Sequence, residues 1–343
     1  MMRAFANSGQ PAAESMLRFE PLPPPTGSFP YRLDLADVID VKPIIAQQRM
    51  VVHTVGDTGG VLDPHPQMKV VELMLKDALG HGLDFFYHLG DVVYFTGDAA
   101  SYYPQFYEPY ADYPAPIFAI PGNHDGATLG MITQHKSLEP FVANFCAKDP
   151  VVMPEAFDAH RHTMTQPNVY WTLLTPLATF IGLYTNVPEG GIVRSDQQLW
   201  LTTEMEAAPK DKALIVALHH PPMSNDRFHS GSAAMLKLLI EAANLAKRAP
   251  NLVLAGHVHN YQRFELPKSM FAVPTVFPGV ALIVAGAGGY HNLHKMAKQK
   301  APELKMFNDK LHGYLTLAFT PGNIHGVYRT VDGAAIDVFD VSF

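Results

Sequence analysis

Five short stretches of this chain end an apolar run with side chains that ligate metals. They are Gly56-Asp57, Gly90-Asp91 with Tyr94 three residues on, Gly122-Asn123-His124, His219-His220, and Gly256-His257-Val258-His259. Two carboxylates, an amide oxygen, a phenol and three imidazoles are enough donors for two metal ions. A carboxylate has two oxygens and can touch two cations at once, and Asp91, central in the set, is placed to bridge them. Two ions about 3.5–4 Å apart suit in-line displacement at phosphorus, because they stabilise the attacking and leaving oxygens together. Taken singly, Asp57 and Asn123 are ordinary turn residues, and His219 or His257 is more often a buried, hydrogen-bonded histidine. Five such stretches in one chain outweigh five separate explanations.

The elements that must position these side chains follow from pattern. Met50–Val55 is the first core strand. Pro66 opens a helix to about Leu79, with Val70, Val71, Met74, Leu75 and Ala78 on one face, and Gly80 and Gly82 end it. A second strand ends at Phe85-Phe86-Tyr87, giving strand, helix, strand. Gly90 lets the backbone turn sharply. Asp91 then projects from a strand's carboxyl end, where open α/β sheets hold their ligands. Further strands are expected at 116–120, Ala213–Leu218 and 251–255, and a hairpin at 170–174 with 179–184. Residues 101–115 read as a helix plus loop. Ser195 is expected to cap a helix carrying Leu199, Trp200 and Met205, another helix spans about 233–246, and the remainder, including 281–285 and 314–319, is mainly β. Residues 1–45 read as a peripheral extension with an extended proline-rich run at 21–25. Residues 126–168 lack a clear period and read as an insertion or lid. With no internal repeat and no linker, 46–343 is one α/β domain.

Composition narrows the function classes. A chain of 343 residues with 48% hydrophobic and 17% charged residues can bury a sizeable core. A net charge of −7 argues against a general nucleic-acid surface. No apolar run reaches the roughly 18 residues of a membrane span, and residues 1–8 show no secretory core segment. Cys146 is the only cysteine, so Cys-rich zinc sites are excluded. A reducing, cytoplasmic setting is the expectation, with a secreted or periplasmic one left open. The 17 histidines point to transition metals.

In chain order, GD, GD, GNHD, HHP and GHVH resemble the calcineurin-like metallophosphoesterase superfamily. Two details resemble its purple acid phosphatase branch, in the short form. Asp57-Thr58-Gly59 has Gly where many superfamily members carry a ligating His, and Gly90-Asp91-Val92-Val93-Tyr94 is similar to the branch's GDxxY, which supplies a tyrosinate. Tyr94-Phe95-Thr96-Gly97 and Gly256-His257-Val258-His259 also look like that branch. The motifs span residues 50–290. Residues 1–45 are too few for the extra N-terminal β domain of plant-type members, and 126–168 matches nothing in the pattern.

The resemblance implies a four-layer αββα sandwich with a binuclear metal site at the strand ends. It gives metal one Asp57, Tyr94 and His259, metal two Asn123, His219 and His257, and Asp91 as the bridge. The family's V-x-x-H pattern, starting at Val216, selects His219 over His220. A hard phenolate donor favours Fe(III) at metal one, with Fe(II), Zn(II) or Mn(II) at metal two. The implied activity is phosphomonoester hydrolysis by a metal-activated hydroxide, with His124 as proton donor or phosphate contact. His229, ten residues beyond His219, resembles an outer-sphere phosphate-binding histidine. His291 and His294, after Gly286-Ala287-Gly288-Gly289, are expected at the surface, with an approach to the substrate as the alternative. The enzyme alternative is a phosphodiesterase or nucleotidase with a di-Mn or di-Zn pair, and a non-catalytic metal-binding protein is the alternative from another class. The expected partner is a small phosphate ester, with no nucleic acid and no membrane. The oligomeric state is not readable.

Overall fold

The computed structural model describes residues 21–128, 135–185, 191–273 and 279–343. Its strands, in chain order, are β1 (Arg32–Asp34), β2 (Met50–Val55), β3 (Phe85–His88), β4 (Ile117–Ala119), β5 (Trp171–Leu174), β6 (Ala178–Gly182), β7 (Ala213–Leu218), β8 (Leu252–Ala255), β9 (Tyr261–Pro267), β10 (Gly279–Ala285), β11 (Leu304–Asn308), β12 (Gly313–Thr320), β13 (Asn323–Thr330) and β14 (Ala335–Ser342). They form two sheets. One runs β1-β5-β6-β7-β8-β10-β9-β11 and the other β14-β13-β12-β2-β3-β4.

The parallel strands form the centre of the larger sheet and one side of the smaller, which ends at β4. β2, β3 and β4 are parallel in the smaller sheet, and β6, β7, β8 and β10 in the larger. Every motif follows a member of these two parallel sets. Alternation along each strand builds the layers. In β7, Ala213, Ile215 and Ala217 face the core between the sheets, while Leu214, Val216 and Leu218 face the outer layer. Phe85 and Tyr87 of β3 cross the inter-sheet space to Phe180 of β6, at ring separations of 5.6 and 5.3 Å. Burying each such aromatic contributes about 1.5–3 kcal/mol.

The outer layers are helical. Helix His65–His81 sets Val70, Val71 and Met74 beside Val55 and Phe86, on the outer face of the smaller sheet. Helices Ser195–Ala207 and Ala233–Ala246 pack together and cover Leu214, Val216 and Val253 of the larger one. The expected αββα order is thus observed.

Local expectations needed correction. Ser195 is the first helical residue, Arg194 holds the cap position, and no side chain caps that end. Helix His65–His81 runs through Gly80 and stops at Gly82, whose φ of 73° breaks the helical path. Part of the supposed extension is integral to the fold. β1 pairs with β5 at the sheet edge, and Arg32 makes a bidentate pair with the buried carboxylate of Glu204. The region 126–168, in its described part, is packed rather than lid-like. Helix Glu139–Phe145 buries Phe141 and Phe145, and Arg161 donates to the carbonyls of Tyr110, Tyr113 and Ala115.

Candidate metal centre

The donors sit where the parallel strands end. Asp57 follows β2, Asp91 follows β3, Asn123 and His124 follow β4, His219 follows β7, and His257 and His259 follow β8. Three of these residues adopt left-handed backbone, with φ of 58° at Asp57, 52° at Asp91 and 67° at His257. For a residue with a Cβ this conformation costs about 1–2 kcal/mol. Local bonds hold it in place: Asp57 N donates to Gly90 O at 2.9 Å and Thr58 N to Asp91 O at 3.3 Å. Strain of this kind concentrates at functional sites. Gly122 is required for a different reason, because a Cβ there would collide with the Asp91 carboxylate and backbone nitrogen.

The side chains converge as two groups. In the first, Tyr94 Oη lies 3.4 Å from Asp57 Oδ1 and 3.4 Å from His259 Nε2, and His259 Nε2 lies 3.4 Å from Asp57 Oδ1. In the second, Asn123 Oδ1 lies 3.2 Å from His219 Nε2 and 2.9 Å from His257 Nδ1. Asp91 Oδ2 joins this second group 3.3 Å from His219 Nε2. Donors about 2.0–2.2 Å from one ion lie about 3.0–3.5 Å from each other, and these separations are of that size. Asp57, Asp91 and His219 also offer donor atoms within 4.8 Å of one another, which ties the two groups together.

Electrostatics makes the same case. Burial, followed by the neighbouring Asp91 charge, pushes Asp125 up to about 7. Burial also raises Asp57 to about 7, against the pull of His219. Burial opposes charge on Asp91 too, but the His219 and His124 imidazoles outweigh it and hold that carboxyl far below the ordinary range. Burial likewise disfavours a charged His219, yet Asp91 keeps its proton on up to about 9. Tyr94 is raised well above 10, first by burial and then by Asp91 and Asp57. The site is therefore rich in buried acids and short of positive charge, which suits bound cations.

Supporting bonds orient the donors. His219 Nδ1 donates to Leu89 O at 2.8 Å, which turns Nε2 towards the site. The neighbouring His220 instead bonds Thr185 Oγ1 through Nδ1 at 2.8 Å. The geometry thus brings His219, and not His220, to Asp91 and Asn123. His257 N donates to Asp57 Oδ2 at 2.8 Å. His124 N donates to Asp91 Oδ1 at 2.8 Å, and its Nδ1 donates to Phe95 O at 2.9 Å.

His229 lies at the same site, with its ring 4.9 Å from that of His257. His294, expected at the surface, stacks on His259 at 4.4 Å and on His229 at 4.8 Å. His294 N also donates to His259 O at 2.8 Å, which draws the 290–294 segment over the site. Sequence reasoning missed Asp125, whose carboxylate accepts from Val92 N, Val93 N and Gly122 N at 2.8–3.2 Å. It clamps the β3 loop to the β4 loop, so that Asp91 meets Asn123. The signal available was its place at the end of Gly122-Asn123-His124-Asp125. Asp226, which accepts from Phe228 N, His229 N and Asn260 Nδ2, was missed too and gave no motif.

Two packed sheets flanked by helices, with a two-ion donor set at the strand ends, define a metallophosphoesterase fold. Comparison of the sequence with family models gives a match to the one described as calcineurin-like phosphoesterase over residues 50–261. The chain belongs to that family. It is similar to purple acid phosphatase 21 of Arabidopsis thaliana, at 28% identity over 134 residues, covering 38% of this chain and 29% of the relative. It is also similar to tartrate-resistant acid phosphatase type 5 of Sus scrofa, at 23% identity over 299 residues, 81% of this chain and 78% of the relative. The chain spans less than half the length of the first plant relatives it matches. In fold it resembles a purple acid phosphatase from yellow lupin, with a TM-score of 0.66, 18% identity, and coverage of 86% of this chain and 54% of that one. It also resembles GAP50, titled the anchor in the inner membrane complex of Plasmodium, with a TM-score of 0.63, 14% identity and coverage of 86% and 89%. One fold therefore carries proteins described as phosphatase and as anchor. Among the described residues, no helix is long and apolar enough to cross a membrane.

Proposed function

We propose that this chain is a binuclear metal-dependent phosphomonoesterase acting on small phosphate esters. The observation that carries the proposal is the pair of donor groups, Asp57–Tyr94–His259 and Asn123–His219–His257, with Asp91 3.3 Å from His219 and its donor atom within 4.8 Å of that of Asp57. Asp57, Tyr94 and His259 would hold one ion and Asn123, His219 and His257 the other, with Asp91 as the shared ligand. A phenol whose proton is held this tightly ionises only against a strongly charged cation, which favours Fe(III) at metal one. The second ion is Fe(II), Zn(II) or Mn(II). Bound cations supply Lewis acidity and a water that ionises near neutral pH.

The chain's own residues do the rest. His124 uses Nδ1 on the Phe95 carbonyl, so Nε2 is the nitrogen free to exchange a proton. In the protonated ring, Nε2–H is the donor to the leaving oxygen. His229, whose ring is 4.9 Å from that of His257, is the phosphate contact. Asp125 keeps the β3 and β4 loops in register, so that this geometry exists before substrate arrives.

The test is an assay of protein purified with its metals, on an aryl phosphate and a bis-aryl phosphate, in wild type and Asp91→Asn. Turnover of the monoester, lost together with metal in the variant, is the expected result. Preference for the diester moves the assignment to a phosphodiesterase. Two bound metals with no turnover of either ester identify a non-catalytic metal-binding protein.

A further inference from the structure

A pocket of about 440 Å³ is lined by Lys69, Lys295 and Lys310, by His65, His291 and His312, and by Asp63. Its charge is the reverse of the chain's. Three lysines and three histidines face one aspartate, in a protein whose net charge is −7. The aspartate is already engaged, because Asp63 Oδ1 accepts from His65 N at 3.1 Å and from His65 Nδ1 at 2.7 Å. Lys69 and Lys310 make no ion pair among the described residues. The Nδ1 of His291 is buried and has no hydrogen-bond partner among them. A buried polar nitrogen without a partner is costly unless something supplies one.

One segment joins this pocket to the metal ligands. Tyr290 N donates to Asp57 O at 2.9 Å, and its ring lies 4.4 Å from that of His259 and 4.5 Å from that of Tyr94. On the other side the Tyr290 ring is 4.5 Å from His291, and His312 Nε2 donates to Tyr290 O at 2.9 Å. The pocket therefore begins one aromatic ring away from a metal ligand. A molecule with its ester phosphate at the metals can pass over Tyr290 and set another group among the lysines.

We propose that this pocket binds a second phosphate group of the substrate, so that the preferred esters carry two phosphates separated by a short linker. The proposal rests on the phosphomonoesterase reading of the metal centre. Lys69 and Lys310 supply the charge, and His291 Nδ1 meets a phosphate oxygen as donor once the ring carries the proton there. Contacts from a few exposed lysines are worth about tenfold in kcat/KM at most, and they weaken as salt screens them.

The experiment compares alkanediol bisphosphates of increasing chain length with the matching hydroxyalkyl monophosphates, using the metal-loaded protein. The bisphosphate is expected to win by about tenfold at one preferred length, with the advantage falling at high salt. In the double variant Lys69→Gln with Lys310→Gln, that ratio should collapse towards one. A ratio near one in wild type, or one unchanged in the double variant, overturns the subsite. If neither ester is hydrolysed, the phosphatase reading fails, and calorimetry with inorganic tripolyphosphate tests the pocket by itself. Binding that the double variant loses upholds an anion site there, and no binding sinks it. Competitive inhibition by free inorganic phosphate that the lysine variant relieves equally for both esters also overturns the proposal, because it makes the lysines general attractors and not a second subsite.

Discussion

The Nδ1 of His219 and the carbonyl oxygen of Leu89 are 2.8 Å apart, and this bond decides which of two adjacent histidines faces Asp91 and Asn123. It fixes the ring with Nε2 towards Asp91 and Asn123. His220, one residue on, is turned to Thr185. His219→Ala is expected to lose one metal ion and nearly all turnover, since Asn123 and His257 alone do not complete the second ligand set. His220→Ala should retain both ions, with turnover reduced by about 10–100-fold at most, the usual range for a residue behind the ligands. Metal analysis of the two purified variants checks this. Metal loss in His220→Ala with retention in His219→Ala would falsify the assignment.

His124 lends itself to a kinetic test, because its backbone and ring have separate jobs. The backbone nitrogen holds Asp91 Oδ1, and the imidazole holds Phe95 O. His124→Ala preserves the first and removes the second, so metal content should stay near wild type. Turnover should fall by about 10²–10⁴-fold if the ring donates the proton. The loss should shrink for esters whose leaving group is already a stable anion. Equal losses for activated and unactivated esters would make His124 a positioning residue.

Away from the metals, Asp77 links helix His65–His81 to the smaller sheet and gives stability a pH dependence. Burial works against its charge, but hydrogen bonds from His53 and Thr316, with Arg329 nearby, hold the carboxyl far below the ordinary range. The group binds its proton less readily folded than unfolded. Its contribution is therefore present above the unfolded value of about 4 and fades as pH falls below it. Burial also lowers the pKa of His53, in spite of Asp77, and the ring stays neutral between Asp77 and Tyr113. Asp77→Asn should cost about 1–3 kcal/mol at neutral pH. Urea unfolding of both proteins should show that difference narrowing below about pH 4. A constant difference across that range would mean the carboxylate's charge contributes nothing.

Much of the centre was readable because metal chemistry and strand geometry leave marks in sequence. Apolar runs ending in Gly-Asp, Gly-Asn-His, His-His or Gly-His gave the five strand ends, and the resemblance those motifs carry gave the two-layer core. What stayed hidden depended on distance in space. Asp125 acts by accepting three backbone N–H groups from two loops, and such a role has no composition signature. His294 approaches the site only because its backbone nitrogen bonds the carbonyl of His259. β1 was unreadable for a related reason. Three residues at a sheet edge have no period of their own, and pairing with β5 defines them. The packing of 126–168 was equally opaque, since Arg161 holds it through carbonyls, which every residue carries.

Tyr94 separates the purple acid phosphatase assignment from other members of the family. Its hydroxyl is 3.4 Å from both Asp57 Oδ1 and His259 Nε2, and it lies in a pocket that strongly resists its ionisation. A cation able to ionise it must be highly charged, and an Fe(III)–phenolate pair absorbs visible light. Protein isolated with its native metals should therefore be violet to pink. Tyr94→Phe keeps the ring, and with it the contacts to His124 at 4.5 Å and Tyr290 at 4.5 Å, so the fold should survive. The variant should bleach and lose the first ion, while Asn123, His219 and His257 still hold the second. Iron and zinc analysis beside the absorption spectrum gives the readout. If the variant keeps its spectrum and both metals, Tyr94 is packing and not a ligand. A colourless wild type holding two zinc or manganese ions, and refusing iron on reconstitution, would leave a family phosphoesterase of the di-Zn or di-Mn kind.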